Sequence, residues 1–315
     1  PGCVQHVGFQ HTRNRPHDAE AHRHVGRGQP KHGARQSAGL LELVWFTHVT
    51  NASITVVIPA HNAAQTLLRA LHSVAQQTLQ PTEIIVANDV STDNTLQLAK
   101  EYSATSAIPV RVLDMPSNVG PGGTRNAAWN VSNTEFIAFL DADDQWHPQK
   151  LQLQHEAMLH HPNAAMSCHA HTFTTSTSWA TLDSTKTTTS LVPFSKFLLR
   201  NRCSTPSVML RRTITQRFQA EKHFAEDYLL WMQITHQHGP ALYINASLAH
   251  CSNPGYGGQG QSGRLWQMER SELQGFRVIH SEGAITVFTL VALSVWSLFK
   301  FGIRVIDSKV VRIRR

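Results

Sequence analysis

Between residues 54 and 140, four short apolar segments alternate with segments of helical periodicity, and this alternation constrains the fold more than any other feature of the chain. The apolar segments lie at 54–59, 83–88, 110–113 and 135–140. The helical segments lie at 64–77, at 92–102 with Ser91 or Thr92 as N-cap, and at 121–131. Strands that alternate with helices at this spacing form a mostly parallel sheet, which binds ligands at the carboxyl ends of its strands. We therefore predict an α/β fold.

The pattern weakens after residue 150. Helices are predicted at 149–160 and 225–236, a Thr/Ser-rich loop at 172–190 and a Gly-rich loop at 252–263. The cysteines form no Cys-x-x-Cys pair, so their spacing predicts neither a zinc site nor a disulfide framework and favours a reducing compartment. They are Cys3, Cys168, Cys203 and Cys251.

Both ends of the chain are basic, whereas the part between them is slightly negative within a net charge of +7. This distribution argues against a nucleic-acid groove, so we expect no nucleic-acid partner. The first 40 residues are rich in His, Arg, Gly and Gln and lack apolar periodicity. We therefore predict a disordered basic extension over 1–50. No apolar segment typical of a secretory signal occurs near the start of the sequence.

Acidic residues follow two of the apolar segments. Asp89 comes directly after the second, where a carboxylate can accept hydrogen bonds from a base or ribose, next to a helix start that favours anions. Asp141 and Asp143 follow the fourth, and in an extended segment alternate side chains point the same way, so the two would converge on one divalent cation. The alternative is that these acids only form turns and helix caps.

Two further motifs lie at predicted helix starts. The segment 118–126 has glycines that allow close backbone approach, and Arg125 offers a charged donor. The alternative is a helix cap with a surface arginine; a G-x-G-x-x-G dinucleotide fingerprint is absent from this segment. The pair Glu226-Asp227 opens a later helix, and Asp227 is a candidate general base, although acids are common in first helical turns.

In combination, these motifs resemble glycosyltransferase family 2 of the GT-A fold over roughly residues 53–275. The resemblance implies a mostly parallel mixed sheet flanked by helices and a metal-dependent, inverting enzyme of the hexosyltransferase type. Such an enzyme moves a sugar from a nucleotide-diphosphate sugar, here expected to be UDP-linked, to the hydroxyl of a glycan or lipid-linked acceptor in cell-surface polysaccharide or glycolipid synthesis. The matching stretches are 56–62, 88–95, 118–126, 139–144 and 226–227.

The resemblance also implies residue roles. Asp89 matches the aspartate that binds the nucleotide base, and Pro59 and Arg125 match positions beside the donor. Asp141 and Asp143 match the aspartates at the donor ribose-phosphate and a Mn2+ or Mg2+ ion, with Asp143 the closer ligand. Asp227 matches the catalytic base. The chain departs from the family at Val90, where glycine is usual. It also lacks an intact Gln-x-x-Arg-Trp motif, which favours transfer of a single sugar over polymer synthesis.

These assignments divide the chain into three expected regions, of which the basic extension at 1–50 is the first. A GT-A domain covers 51–275, with a nucleotide-sugar-binding half at 51–150 and an acceptor-binding half at 151–275. The remaining 276–315 form a C-terminal helix that includes an uncharged run of 17 residues at 283–299. Polar residues on one stripe and apolar residues on the opposite face indicate an amphipathic helix with a basic end.

The amphipathic pattern leaves three arrangements open: the helix lies in a membrane interface, spans the membrane, or packs on the domain. We expect peripheral membrane contact through 283–315, at the cytoplasmic face of the cell membrane. Two other functions remain open: a sugar-nucleotide-binding pseudoenzyme, which the Val90 departure supports, and a nucleotidyltransferase. The second usually has a Gly-rich phosphate loop after the first strand, and 59–62 does not supply one.

Overall fold

A computed structural model of the chain describes residues 41–42, 52–174, 176–182, 187–219, 224–252 and 264–313. The strands are β1 Leu41–Glu42, β2 Ile54–Ala60, β3 Glu83–Asn88, β4 Val110–Asp114, β5 Phe136–Phe139, β6 Gln145–Trp146, β7 Met166–Phe173, β8 Thr188–Val192, β9 Met209–Arg211 and β10 Ala241–Cys251. The helices are α1 Leu67–Ala75, α2 Thr95–Thr105, α3 Gly120–Val131, α4 Lys150–His160, α5 Phe194–Phe197, α6 Glu226–Gln237, α7 Leu265–Ser281 and α8 Val287–Ile313.

The strands form one mixed sheet in the order β1-β8-β10-β7-β9-β5-β2-β3-β4, with β6 paired to β10. Strands β4, β3, β2 and β5 are parallel to one another. The antiparallel strand β9 joins this parallel block to β7, which is in turn parallel to β10. The predicted α/β architecture, a mixed sheet flanked by helices, is confirmed.

Both faces of β2, β3 and β5 are buried, which explains their apolar runs, whereas the edge strand β4 is only partly buried. On β2, Val56 and Ile58 belong to one hydrophobic cluster and Val57 to the cluster on the opposite face. The register pairs Ala60 with Asn88, and Val57 with Phe139. The carboxyl ends of β2, β3 and β5 therefore lie along one edge of the sheet, as the alternation predicts.

The element boundaries differ from the predicted ones by a few residues. Helix α2 begins at Thr95 rather than 92, because Asp93 accepts the Thr95 amide at 3.0 Å. The predicted cap Ser91 instead accepts the backbone amide of Asn62 at 3.0 Å. The predicted loop at 172–190 is partly strand, since β7 ends at 173 and β8 begins at 188. The Gly-rich loop lies outside the described residues except for Ser252.

The stretch predicted to be a disordered extension contributes to the sheet. Leu41 and Glu42 pair antiparallel with Thr189 and Thr188 of β8. The reason is local: the edge of β8 offers unpaired backbone groups that a short extended segment satisfies. The remaining residues of 1–50 lie outside the described part of the chain.

A disulfide corrects the prediction made from cysteine spacing. Cys168 on β7 and Cys203 are bonded, with Cα atoms 5.8 Å apart. They are 35 residues apart in sequence, and no local pattern indicates that the fold brings them together. The bond attaches the segment around Cys203 to the sheet.

The C-terminal helices α7 and α8 form an antiparallel hairpin. Lys300 Nζ lies 2.9 Å from Glu272 Oε1, and Arg304 Nη1 lies 3.9 Å from Glu269 Oε2. The polar stripe of α8 therefore faces α7, and its basic residues at 300 and 304 pair with buried carboxylates rather than facing outward to an anionic surface. Helix α7 also runs through 275 and 276, the position of the expected domain boundary.

The opposite face of α8 is apolar and exposed. Phe288 is 84% exposed and Val295 63% exposed, and Val291, Leu298 and Ile306 belong to the same face. The predicted C-terminal amphipathic helix is confirmed. In the described part of the chain, one helical stretch, Val287–Ile306, is long and apolar enough to cross a membrane.

Candidate active site

The loops at the carboxyl ends of β2, β3 and β5 form one wall of a large open cleft. The start of α6 and the 201–206 segment form another part of its lining. All six residues predicted for the site line this cleft: Pro59, Asp89, Arg125, Asp141, Asp143 and Asp227. Pro59 and Asp227, which are 168 positions apart in sequence, are thus brought together at the predicted edge of the sheet.

Asp89 is held rigidly at the end of β3. It is only 3% exposed, and its Oδ1 accepts the Val119 backbone amide at 2.9 Å. The next residue, Val90, has φ of +56°, a left-handed conformation that glycine adopts readily and β-branched residues rarely adopt. Asn62 Oδ1 accepts the Thr92 amide at 2.8 Å and joins the loops after β2 and β3. Valine therefore adopts the loop conformation that glycine usually provides, but with backbone strain.

The acidic segment after β5 is a turn, not an extended segment. The Asp144 amide donates to the Asp141 carbonyl oxygen at 3.0 Å, so the alternation assumed from sequence is wrong. Asp141 and Asp143 nevertheless line the same cleft. Asp144 turns inward, where Ser252 N donates to its Oδ1 at 2.9 Å, and burial raises its pKa well above the usual range.

Arg125 is buried between two carboxylates. Its Nη2 donates to Asp141 Oδ1 at 2.6 Å and its Nη1 to Glu226 Oε1 at 3.3 Å. The guanidinium is only 5% exposed and lies 5.3 Å from the centre of the Phe218 ring. The alternative of a surface arginine is therefore wrong. Arg125 links the acidic turn after β5 to the start of α6.

Asp227 lies in the first turn of α6 and is held through both carboxylate oxygens. Oδ2 accepts the Asn201 side-chain amide at 3.1 Å and the Thr205 hydroxyl at 3.4 Å, and Oδ1 accepts the Tyr228 amide at 2.7 Å. Burial raises the pKa of Asp227, while the Tyr228 amide, the charge of Arg125 and the Asn201 bond oppose the rise. A raised pKa brings a carboxylate closer to the range in which a general base works best.

The donor set of the acidic turn fits a hard divalent cation. Burial and the neighbouring charge of Asp141 raise the pKa of Asp143, and a cation between the two carboxylates would relieve that repulsion. Over the described residues, no group of three or more His, Cys, Asp or Glu side chains is arranged to hold a metal. Two protein carboxylates, with the remaining ligands from a phosphate and water, match the usual coordination of Mg2+.

Three residues that the sequence did not single out line the same cleft: Asn201, Arg202 and Thr205. They lie in a stretch without apolar periodicity, and no local signal marks them. Their position near Asp227 depends on the disulfide of Cys203 and on the hydrogen bonds of Asn201 and Thr205 to Asp227. Arg264, the arginine of the incomplete Gln-x-x-Arg-Trp match, also lines the cleft.

The family model for glycosyl transferase family 2 matches residues 55–219. The UDP-Glc:alpha-D-GlcNAc-diphosphoundecaprenol beta-1,3-glucosyltransferase WfgD of Escherichia coli is 29% identical over 181 residues, which cover 58% of this chain and 69% of that protein. The poly(ribitol-phosphate) beta-N-acetylglucosaminyltransferase TarS of Staphylococcus aureus is 34% identical over 100 residues, 31% of this chain and 17% of TarS.

Solved structures share the fold. Residues 1–349 of S. aureus TarS, in complex with UDP-GlcNAc, align with a TM-score of 0.56 at 18% identity, over 72% of this chain and 66% of that one. The mannosyltransferase PcManGT of Pyrobaculum calidifontis, in complex with GDP-Man and Mn2+, aligns with a TM-score of 0.60 at 14% identity, over 83% and 76%. The family match covers more than half of the chain and includes β2, β3, β5 and the acidic turn. The chain therefore belongs to glycosyl transferase family 2.

Proposed function

We propose that the chain transfers a single sugar from a UDP-linked donor to an acceptor hydroxyl, with inversion at the anomeric carbon. One observation carries this proposal. A carboxylate suited to general-base catalysis, Asp227, lines the same cleft as the donor-side pair Asp141 and Asp143, and Arg125 contacts both Asp141 and Glu226. This arrangement supports an active enzyme over a binding protein without activity.

The donor would bind at the ends of β2 and β3. Asp89 is fixed by Val119 N at the cleft wall and is suited to accept hydrogen bonds from the nucleotide base, with Pro59 beside it. Arg125 would act on the donor indirectly, because its guanidinium is already engaged by two carboxylates and holds Asp141 in place. The names of the E. coli relative and of the TarS complex support a UDP-linked donor.

Asp143 and Asp141 would hold a Mn2+ or Mg2+ ion. When bound, that ion would neutralise the charge of the leaving diphosphate. The PcManGT complex with Mn2+ supports a divalent metal in a related site.

Asp227 would take the proton of the acceptor hydroxyl. The hydroxyl oxygen attacks the anomeric carbon from the face opposite the nucleoside diphosphate, the bond to the diphosphate breaks, and the proton passes to Asp227. Asn201 and Thr205 hold the receiving carboxylate in place. Glu226 is the competing candidate, but its carboxylate is paired with Arg125.

The acceptor would be a glycan linked to a membrane lipid, used in the synthesis of a cell-surface polysaccharide or glycolipid. The exposed apolar face of α8 supports peripheral contact with a membrane, at its cytoplasmic side. The E. coli relative, whose name specifies a diphosphoundecaprenol-linked acceptor, supports the same class.

The proposal is tested by screening nucleotide sugars for transfer and for release of the nucleoside diphosphate, with and without EDTA. Asp227→Asn keeps the shape of the side chain but cannot accept a proton at neutral pH. It should cut the rate by roughly 10²–10⁴-fold and leave donor affinity near that of the wild type. Glu226→Gln should show a clearly smaller loss of rate.

Three results would contradict the proposal. Full activity in EDTA would refute the requirement for a divalent metal. A larger loss of rate in Glu226→Gln than in Asp227→Asn would identify Glu226 as the base. A product that keeps the anomeric configuration of the donor would exclude the single-displacement reaction.

A further inference from the structure

The cleft has an uneven distribution of charge. Of its described lining, seven side chains are acidic and three are arginines. Arg125 is neutralised by Asp141 and Glu226. Arg202 and Arg264 have no ion pair or side-chain hydrogen bond with any residue that the structure describes, and the Nε of Arg202 is buried without a partner. A buried guanidinium nitrogen without an acceptor is costly, and a ligand that supplies the acceptor offsets this cost.

Both arginines line the same cleft as Asp227. Arg202 follows Asn201, whose side-chain amide donates to Asp227 Oδ2 at 3.1 Å. The segment is fixed on its other side by the disulfide of Cys203 and by Trp231 Nε1, which donates to the Cys203 carbonyl oxygen at 3.1 Å. Arg202 is therefore attached to rigid structure on the acceptor side of the cleft.

Arg264 lines the cleft from the start of α7. It immediately precedes the helix, and further along α7 Ser271 donates to the carbonyl oxygen of Phe224, three residues before Asp227. In the hairpin of α7 and α8, Glu269 pairs with Arg304. Glu269 lies five residues after Arg264. This end of α7 is thus next to the helix that carries the exposed apolar face.

We propose that Arg202 and Arg264 form an anion subsite for a phosphoryl group of the acceptor, held beside the base Asp227. The inference rests on the proposed sugar transfer, and it extends that transfer to an acceptor whose sugar is attached through phosphate. Two guanidinium groups supply the planar paired donors that suit phosphate oxygens. The diphosphate of the donor has the same chemistry, so the experiment must separate the two sources.

The first arm uses inorganic pyrophosphate, titrated calorimetrically into the 315-residue chain in EDTA. The wild type should bind it, and Arg202→Gln and Arg264→Gln should each weaken binding about tenfold, the usual loss for one charged hydrogen-bonding group. Arg200→Gln is the matched control, since Arg200 is exposed and outside the cleft lining. It should keep the affinity of the wild type. No binding by the wild type, or equal binding by Arg264→Gln and the control, overturns the subsite. Because Arg264 is exposed, that variant is informative even if Arg202→Gln fails to fold.

The second arm measures UDP binding in Mn2+. The double variant should bind UDP within about twofold of the wild type. A loss of UDP affinity as large as the loss for pyrophosphate would assign the arginines to the donor and overturn the proposal. The pyrophosphate arm needs no turnover, so the subsite and the proposed transfer can fail separately. A protein that shows the pyrophosphate difference but transfers no sugar would retain the subsite and refute the transfer.

Discussion

The pKa of Asp227 depends on residues that are distant from it in sequence. Burial raises its pKa, and the bond from Asn201 is one of the contacts that lower it. Asn201→Ala should therefore raise the pKa further. As the proposed base, Asp227 works when ionised, so activity should be lost as pH falls through this pKa. The acid limb of kcat/KM should therefore move to higher pH in Asn201→Ala. Rate measurements across pH would show the shift.

Asn245→Ala provides the control for this prediction, because Asn245 is exposed on β10 and outside the cleft lining. Its acid limb should match that of the wild type. An Asn201→Ala profile that superimposes on the wild type, with only a uniform loss of rate, would mean that Asn201 does not adjust the ionisation of Asp227.

Val90 carries backbone strain that a single substitution removes. Its φ is +56°, and its side chain is 40% exposed, so little packing is lost on truncation. Val90→Gly should raise the free energy of unfolding by roughly 1 kcal/mol, as expected for relief of a left-handed conformation. Urea denaturation measures this. Val131 at the end of α3 serves as the control, because it is similarly exposed (38%) but does not have a positive φ. Val131→Gly should therefore destabilise the protein. If the free energy of unfolding changes in the same direction in both variants, Val90 does not carry the proposed backbone strain.

At the scale of elements, the start of α3 shows why glycine is needed next to the site. A Cβ at Gly122 would lie 3.1 Å from Phe218 Cβ and 3.2 Å from Glu226 Cγ. Gly122→Ala should therefore displace the Glu226 end of the Arg125 bridge. Because displacements of about 1 Å can cost up to 10²-fold in rate, we expect kcat to fall by roughly ten- to a hundredfold.

Gly302 on α8 gives a matched control. A Cβ there meets nothing within 4 Å, so Gly302→Ala should leave transfer unchanged. Steady-state kinetics of the two variants tests whether α3 must approach Glu226 closely at Gly122. Circular dichroism verifies that both variants fold. Normal kcat in Gly122→Ala would show that α3 can move away without disturbing the site.

The helices and strands of the first half follow from their local pattern, but their ends do not. The N-terminus of α2 is set by Asp93, whose carboxylate reaches both Thr95 and the Ala64 amide on a different loop. The turn at 141–144 depends on a backbone bond after a buried strand, which periodicity cannot reveal. Local sequence indicates where polar groups cluster, while the contacts between loops decide their conformation.

At the scale of the whole molecule, α8 presents apolar side chains outward, while Lys300 and Arg304 are paired with α7. Membrane binding should therefore be driven by apolar burial. It should occur on phosphatidylcholine vesicles and change little with salt or added phosphatidylglycerol. Phe288→Ser combined with Val295→Ser should weaken vesicle binding by about a hundredfold or more, since burial of each such side chain contributes roughly 1.5–3 kcal/mol. Vesicle co-sedimentation measures the partition.

Leu159→Ser on α4, also exposed and distant from α8 in sequence, should not change this partition. A wild-type protein that fails to bind either vesicle would exclude the membrane as the partner of this face. Strong binding only to anionic vesicles at low salt would show that charge, rather than the apolar face, directs the contact.

The sequence by itself determined the parallel block, its carboxyl edge, the six residues lining the cleft and the family. These depend on short-range features: strand and helix periods, and polar residues directly after buried strands. Only the tertiary structure decided that Arg125 faces inward between Asp141 and Glu226, that Asn201 holds Asp227, that Cys168 meets Cys203, and which way α8 faces. Each of these depends on distance in space between residues that are 16 to 101 positions apart in sequence, or on which face of a helix finds a partner, and no local pattern encodes either.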